Sequence, residues 1–186
     1  MRRQITFTDV AKIGCLLGLI GFCIFGVAAI LRQARESRQA GTCTSNMILV
    51  YRGLRVYAIR HGGVLPDAER WADALVEEKL IPGEQVLHCP GTDGRYGYAM
   101  NSQFSGVELE RIADPSEHVL VFESDSGLRN AHDLLESIPD SPRHPGGSNY
   151  IFVDGHGGRL EEVPEVGDAN LLPEDTAAGE ESTDGG

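Results

Sequence analysis

The stretch IGCLLGLIGFCIFGVAAIL, Ile13 to Leu31, decides how the rest of the chain is read. It carries no charged and no strongly polar side chain over about 19 residues. At about 1.5 Å per residue that is about 28 Å of helix, the thickness of a bilayer's hydrocarbon layer. A helix lying on a soluble core would show polar residues at a period of 3.6, and none occur here. A cleaved signal peptide would have a shorter apolar region, about 7–15 residues, ending in a small-x-small site. The sequence VAAILRQA fits that site poorly. Residues 13–31 therefore read as a transmembrane helix, preceded by a short N-terminal segment, 1–12.

Helix formers continue beyond the apolar stretch. Met47, Val50, Tyr51, Leu54, Tyr57 and Ala58 recur at helical spacing. Gly41 and Gly53 each weaken the helix by about 1 kcal/mol relative to alanine. Gly62-Gly63 ends it, with Pro66 just beyond. One helix is expected from about Phe7 to Arg60. Its first half is apolar all round, and its second half has one apolar face that must pack on something.

Shorter elements follow. Asp67 is placed to cap a short helix bearing Trp71, Leu75 and Leu80, stopped by Pro82-Gly83. A short aromatic strand is expected around Tyr96 to Met100, and a buried strand at His118 to Ser124. After a long connection, Asn149 to Val153 reads as a strand. Asp154-Gly155 reads as a two-residue type I′ turn, and His156 to Leu160 as the return strand. The expected class is α+β: a long N-terminal helix, transmembrane then amphipathic, packed on a small antiparallel sheet within residues 32–160.

The chain has 186 residues and a formal net charge of −12. Much of that charge lies in residues 161–186, which carry Glu161, Glu162, Glu165, Asp168, Glu174, Asp175, Glu180, Glu181 and Asp184 and no basic residue. With few large apolar side chains to offset ordering entropy, this segment reads as a disordered acidic tail. No basic stripe exists to neutralise phosphates, which argues against a nucleic-acid partner.

Four cysteines are present. Cys15 and Cys23 sit in the apolar stretch and behave there as small hydrophobes. Cys43 and Cys89 lie outside it. In an oxidising compartment they are expected to pair, and closing so long a loop would contribute about 4 kcal/mol in the chain-entropy model. The plainer reading is two unrelated thiols. No Cys-x-x-Cys or Cys–His spacing points to zinc. The flanking charges, Arg2, Arg3 and Lys12 before the apolar stretch and Arg32, Arg35 and Arg38 after it, are balanced and do not orient the chain.

Several short motifs occur in a fixed order. ARESRQAGTCTSNM joins a basic helix segment to Cys-x-x-Asn. HGGVLP follows, then Trp71, Cys89-Pro90 and YGYAMN, then IADPSEHVLVFESD. Last comes RHPGGSNYIFVDGH, in which His144 is followed by nine residues and then Asp154-Gly155. In this order, over about Phe7 to Leu160, they resemble the prepilin-like (pseudopilin-like) proteins of planctomycetes and their relatives, which end in a His-x9-Asp-Gly signature. The resemblance implies a pilin-like fold in the bacterial inner membrane, with a cytoplasmic N-terminus and a domain outside. It implies a non-enzymatic structural or accessory role in a type II secretion or type IV pilus-like system. The partners implied are membrane lipid and other pseudopilin-like subunits. Prepilins are cut after a glycine and before phenylalanine, and carry a glutamate at the fifth mature position. Here Thr6 precedes Phe7, and Ala11 stands at the glutamate's place, so the processing site is degenerate. Processing and filament assembly are thereby left open, a retained anchor that does not assemble being one outcome.

Three readings compete for Arg143 to Leu160. In the first it is a structural hairpin, with Gly146-Gly147 and Asp154-Gly155 supplying turns and His144 bonded to Asp154 or a loop carbonyl. In the second, Asp93, Asp125 and Asp154 converge on calcium, as in the calcium-stabilised loop of secretion pseudopilins. In the third, His144, Asp154 and His156 bind a transition metal in a membrane-anchored metal-binding or hydrolytic surface protein. The first is favoured, with no cofactor and no catalysis.

Overall fold

The computed structural model of the protein describes residues 7–164, 166, 167 and 171, the side chains of 7–13 and 15 excepted. The chain divides into two compact units, Met1–Arg38 and Gln39–Gly186. Helix α1 runs from Phe7 to Arg60, the span expected from the sequence.

Within the first unit, α1 exposes Leu16, Leu19, Phe22, Phe25 and Ile30. The helix is long and apolar enough to cross a membrane.

Within the second unit, α1 buries a single stripe, Ala40, Cys43, Met47, Val50, Leu54 and Ala58. The three- and four-residue steps place these side chains on one face. Each large apolar member contributes about 1.5–3 kcal/mol on burial. The helix closes where Gly63 N–H donates to Ala58 O at 2.8 Å. Asp67 then caps a 3-10 turn, Ala68–Arg70, by accepting from Glu69 N. Helix α2, Trp71–Glu77, follows directly. Its first free N–H groups, on Ala72 and Asp73, donate to the side-chain oxygen of Asn130, at 2.8 and 3.0 Å. The cap is therefore supplied from a distant loop.

The strands are β1 (Tyr98–Asn101), β2 (Val119–Glu123), β3 (His132–Asp133), β4 (Ser148–Phe152) and β5 (Gly157–Leu160). They form one sheet in the order β3-β1-β2-β4-β5. The sheet is mixed where an antiparallel one was expected. The pairs β1–β2, β2–β4 and β4–β5 are antiparallel, but β3 runs parallel to β1. The two polar residues of β3 carry no strand pattern. They are held by their neighbours: Met100 N and Trp71 Nε1 both donate to Ala131 O, at 3.0 and 2.9 Å.

Both faces of the sheet are covered. Tyr98, Met100, Leu120, Val121 and Ile151 pack with the α1 stripe and α2. Ala99, Val119, Phe122, Tyr150 and Phe152 pack beneath the loop bearing Ala131 and Leu135. A register shift between Val119 and Val121 lets Leu120 and Val121 both join the helix-facing core. Strand alternation then carries Glu123, two residues past Val121, to the same side.

The β4–β5 hairpin differs from the expected turn. Gly155 N–H donates to Phe152 O at 2.9 Å and Phe152 N–H to His156 O at 3.0 Å. Gly155 has φ +93°, while Asp154 is not in the left-handed region. A type I′ turn needs positive φ at both central residues, so this is a type I turn closed by a glycine bulge. Gly155 also lies against α1: a Cβ there would sit 2.5 Å from the Tyr51 ring. The Tyr51 hydroxyl donates to Val153 O at 3.1 Å. The Asp-Gly half of the signature is thus a docking point for the helix.

Candidate functional site

Four chemistry-bearing side chains meet in the interior of the second unit. Cys43 comes from the buried stripe of α1. Cys89 follows the 3-10 turn Glu84–Leu87, Glu123 ends β2, and His144 lies in the loop before β4. Cys43, Cys89 and Glu123 have no solvent exposure, and His144 is 4% exposed. One potential ligand atom from each lies within 4.8 Å of the other three, and among the described residues no other such group of His, Cys, Asp and Glu converges.

The contacts are specific. Cys43 Sγ donates to Glu123 Oε1 at 2.7 Å. His144 Nε2 lies 3.2 Å from Cys89 Sγ and 3.2 Å from Glu123 Oε1. Around them stands a second layer of donors. Tyr98 O–H donates to Cys43 Sγ at 3.3 Å, and Gly91 N–H to Cys89 Sγ at 3.5 Å. Asn149 gives its backbone N–H to Glu123 Oε2 at 3.1 Å and its amide to Oε1 at 2.8 Å. Asn149 is held in turn by Thr44 of α1 and Arg159 of β5.

These bonds set the protonation states. The Cys89 thiol is drawn down to about 5, first by its bond with Cys43 and then by that with His144. His144 is raised to about 9 by its bonds to Cys89 and Glu123. Burial alone would push the Glu123 carboxyl up. The bonds from His144, Cys43 and Asn149 outweigh it and hold the carboxyl below its usual range. Cys43 is pushed strongly upward, by its bond with Cys89 and then by burial. The bonds thus favour the charged forms of Cys89, His144 and Glu123 and the neutral form of Cys43.

The backbone around the cluster explains several sequence motifs. In Cys-x-x-Asn, Cys43 enters the cluster and Asn46 donates to His88 O at 3.1 Å, next to Cys89. Arg143 clamps the preceding loop by donating to Gly97 O at 3.1 Å, to Ser124 O and to the Asp125 carboxylate. Gly147, at φ +117°, leaves no space for a side chain, because a Cβ would meet Leu160 O at 2.1 Å. Gly146 shares the same turn, at φ +88°.

The structure separates most of the residues expected to act together. His144 bonds to Cys89 and Glu123, not to Asp154. Asp154 instead pairs with His156 at 2.6 Å, at the exposed end of the β4–β5 hairpin. The trio His144, Asp154 and His156 is therefore not one site. Nor do Asp93, Asp125 and Asp154 converge: Asp93 is exposed in a left-handed turn, and Asp125 is paired with Arg143 at 2.5 Å. Cys43 and Cys89 do meet, as expected, in one buried cluster where Cys43 bonds to Glu123 and Cys89 to His144. Thr6 and most of the acidic tail lie outside the described residues, as do the side chains of Phe7 and Ala11.

Glu123 is the member that sequence reasoning missed. Its signal was a carboxylate ending an otherwise apolar run, VLVFE, which a wholly buried strand tolerates only with partners. Comparison with family models, with curated proteins and with solved structures yields no match.

Proposed function

We propose that the chain is a single-span, membrane-anchored, non-enzymatic accessory subunit of the pseudopilin type, serving a type II secretion or type IV pilus-like apparatus. One observation carries this reading. A single helix, Phe7–Arg60, begins as an apolar rod and ends as the central core element of an α+β domain. That is the arrangement the prepilin resemblance implies. The ordered motifs add support, since Cys-x-x-Asn, Cys-Pro, the strand ending in Glu123 and His144 all contribute to one buried cluster.

The cluster supports a structural role over a hydrolytic one. Catalytic metal sites keep a position open to water and substrate, whereas all four groups here are buried. Thr6 and Ala11 stand where prepilins carry the residues used in processing and assembly. The anchor is therefore read as retained and uncleaved, with the domain outside the cytoplasm.

The test is protease protection of the full chain in spheroplasts and in inverted membrane vesicles, after alkaline washing of the membranes. The expected result is protein that stays with the washed membranes and loses its domain only in spheroplasts. Release by the wash, or digestion of the domain in inverted vesicles, would refute the anchor or its orientation.

A further inference from the structure

We propose that Cys43, Cys89, Glu123 and His144 bind one zinc ion at a closed structural site that pins α1 to the sheet.

The donor set fits the ion. Two thiolates, one imidazole and one carboxylate form a four-coordinate ligand set of the kind zinc takes, and soft thiolates discriminate against magnesium and calcium. Bonds of about 2.0–2.3 Å in a tetrahedron place ligand atoms about 3.3–3.8 Å apart. Here the ligand atoms lie within 4.8 Å of one another, with close pairs at 2.7 and 3.2 Å. Seating the ion needs the closest of these pairs to open by about 0.5–1 Å.

The second layer fits as well. A ligand set of two thiolates and a carboxylate exceeds the charge of zinc by one. Tyr98, Gly91 and Asn149 already direct donors at Cys43 Sγ, Cys89 Sγ and Glu123 Oε2, respectively. Such outer donors orient metal ligands and offset their charge. The network continues through Asn149 to Thr44 on α1 and Arg159 on β5.

A disulfide between Cys43 and Cys89 is the competing use of the same residues. It would remove a partner from both Glu123 and His144, leaving a buried charged pair with fewer bonds, an arrangement that is costly in an interior. Zinc engages all four groups together. The burial of every ligand makes the site structural, filled as the chain folds, with the protons still held by the thiols and the imidazole displaced to solvent.

The experiment uses the full chain in detergent, purified under reducing conditions without chelator. Its readouts are zinc content, native mass and cobalt(II) substitution. The expected result is one zinc per chain, with thiolate-to-cobalt charge-transfer bands and tetrahedral d–d bands on substitution. Cys43 and Cys89 should resist thiol reagents until a chelator is added. Because Cys89→Ser and His144→Ala remove ligands and threaten folding, Tyr98→Phe is the second variant. It keeps the ligands and the core volume and should weaken zinc binding by about 10-fold. The proposal is overturned if the reduced chain takes up neither zinc nor cobalt. It is also overturned if His144→Ala retains zinc at full stoichiometry, which would place the ion elsewhere. In chain purified without reductant, a native mass short by two hydrogens and unchanged by added zinc would establish the disulfide instead.

Discussion

Cys43 Sγ donates to Glu123 Oε1 at 2.7 Å, across 80 residues of sequence, and both side chains are excluded from solvent. The bond joins the helix that leaves the apolar segment to the central strand of the sheet. Glu123→Ala removes the acceptor for Cys43, for the Asn149 amide and backbone, and for His144. Breaking one side of such a buried group is expected to destabilise by about 3–5 kcal/mol. Urea unfolding of the detergent-solubilised chain measures this directly, and Glu123→Gln, which keeps some of the bonds, should lose less.

Gly155 and Tyr51 form a second helix–sheet contact. Gly155→Ala meets both a positive φ and the Tyr51 ring. The left-handed conformation alone accounts for about 1–2 kcal/mol, and the collision adds to it. In the Tyr51→Ala background the collision disappears and only the backbone term remains. A double-mutant cycle should therefore show coupling of about 0.5–3 kcal/mol between the two positions. Additive losses would mean that the hairpin does not dock on this face of the helix.

Much of this fold was legible. The six-residue stripe from Ala40 to Ala58 keeps helical spacing through two glycines, so periodicity located the second half of α1, and Gly62-Gly63 its C-terminal end. Short apolar runs located β2 and β4. Contact between distant residues was legible only for Cys43 and Cys89, which meet as their expected pairing requires. Cys89 and His144 are 55 residues apart, and Cys43 and Glu123 are 80. No local spacing rule brings such residues to one point. His144 was singled out with Asp154 because they share a short segment, yet they sit at opposite ends of β4 with different partners. Strand β3 was invisible because its two residues are held by α2, Asn130 and β1, not by any pattern of their own.

Arg129 links α2 to the loop before β1. It donates to Asp73 at 2.5 Å and to Glu84 at 2.6 Å, and the Tyr96 hydroxyl also bonds to Glu84. The Asp73 carboxyl is held below its usual range, first by the Asn130 amide and then by Arg129. Glu84 is lowered first by Tyr96 and then by Arg129. For a depressed carboxyl, the stabilisation is complete above the unfolded value, about pH 4, and is lost as pH falls through the folded value. Thermal melts should therefore show stability falling below about pH 4. In Arg129→Met that acid limb should be shallower, with a modest loss at neutral pH because the pairs are partly exposed. An unchanged acid limb would contradict the assignment.

Phe22 is 77% exposed on the first half of α1. A lysine near the centre of a membrane-spanning helix costs about 2.5–3.5 kcal/mol on insertion. Phe22→Lys is expected to reduce the membrane-integrated fraction, measured by alkaline extraction, whereas Ser45→Lys, on an exposed turn of the second unit, should leave it unchanged. Equal behaviour of the two variants would argue against a lipid environment for the first half.

The most direct measurement is the intact mass of the full chain extracted from washed membranes. The anchor and the core helix are read as one uncleaved element, so the expected mass includes Arg2 to Leu31, with or without the initiator methionine, and corresponds to a chain of 20.1 kDa. A mass that begins at Phe7 would show that the degenerate site is still processed. A mass that begins beyond Leu31 would contradict the anchor itself.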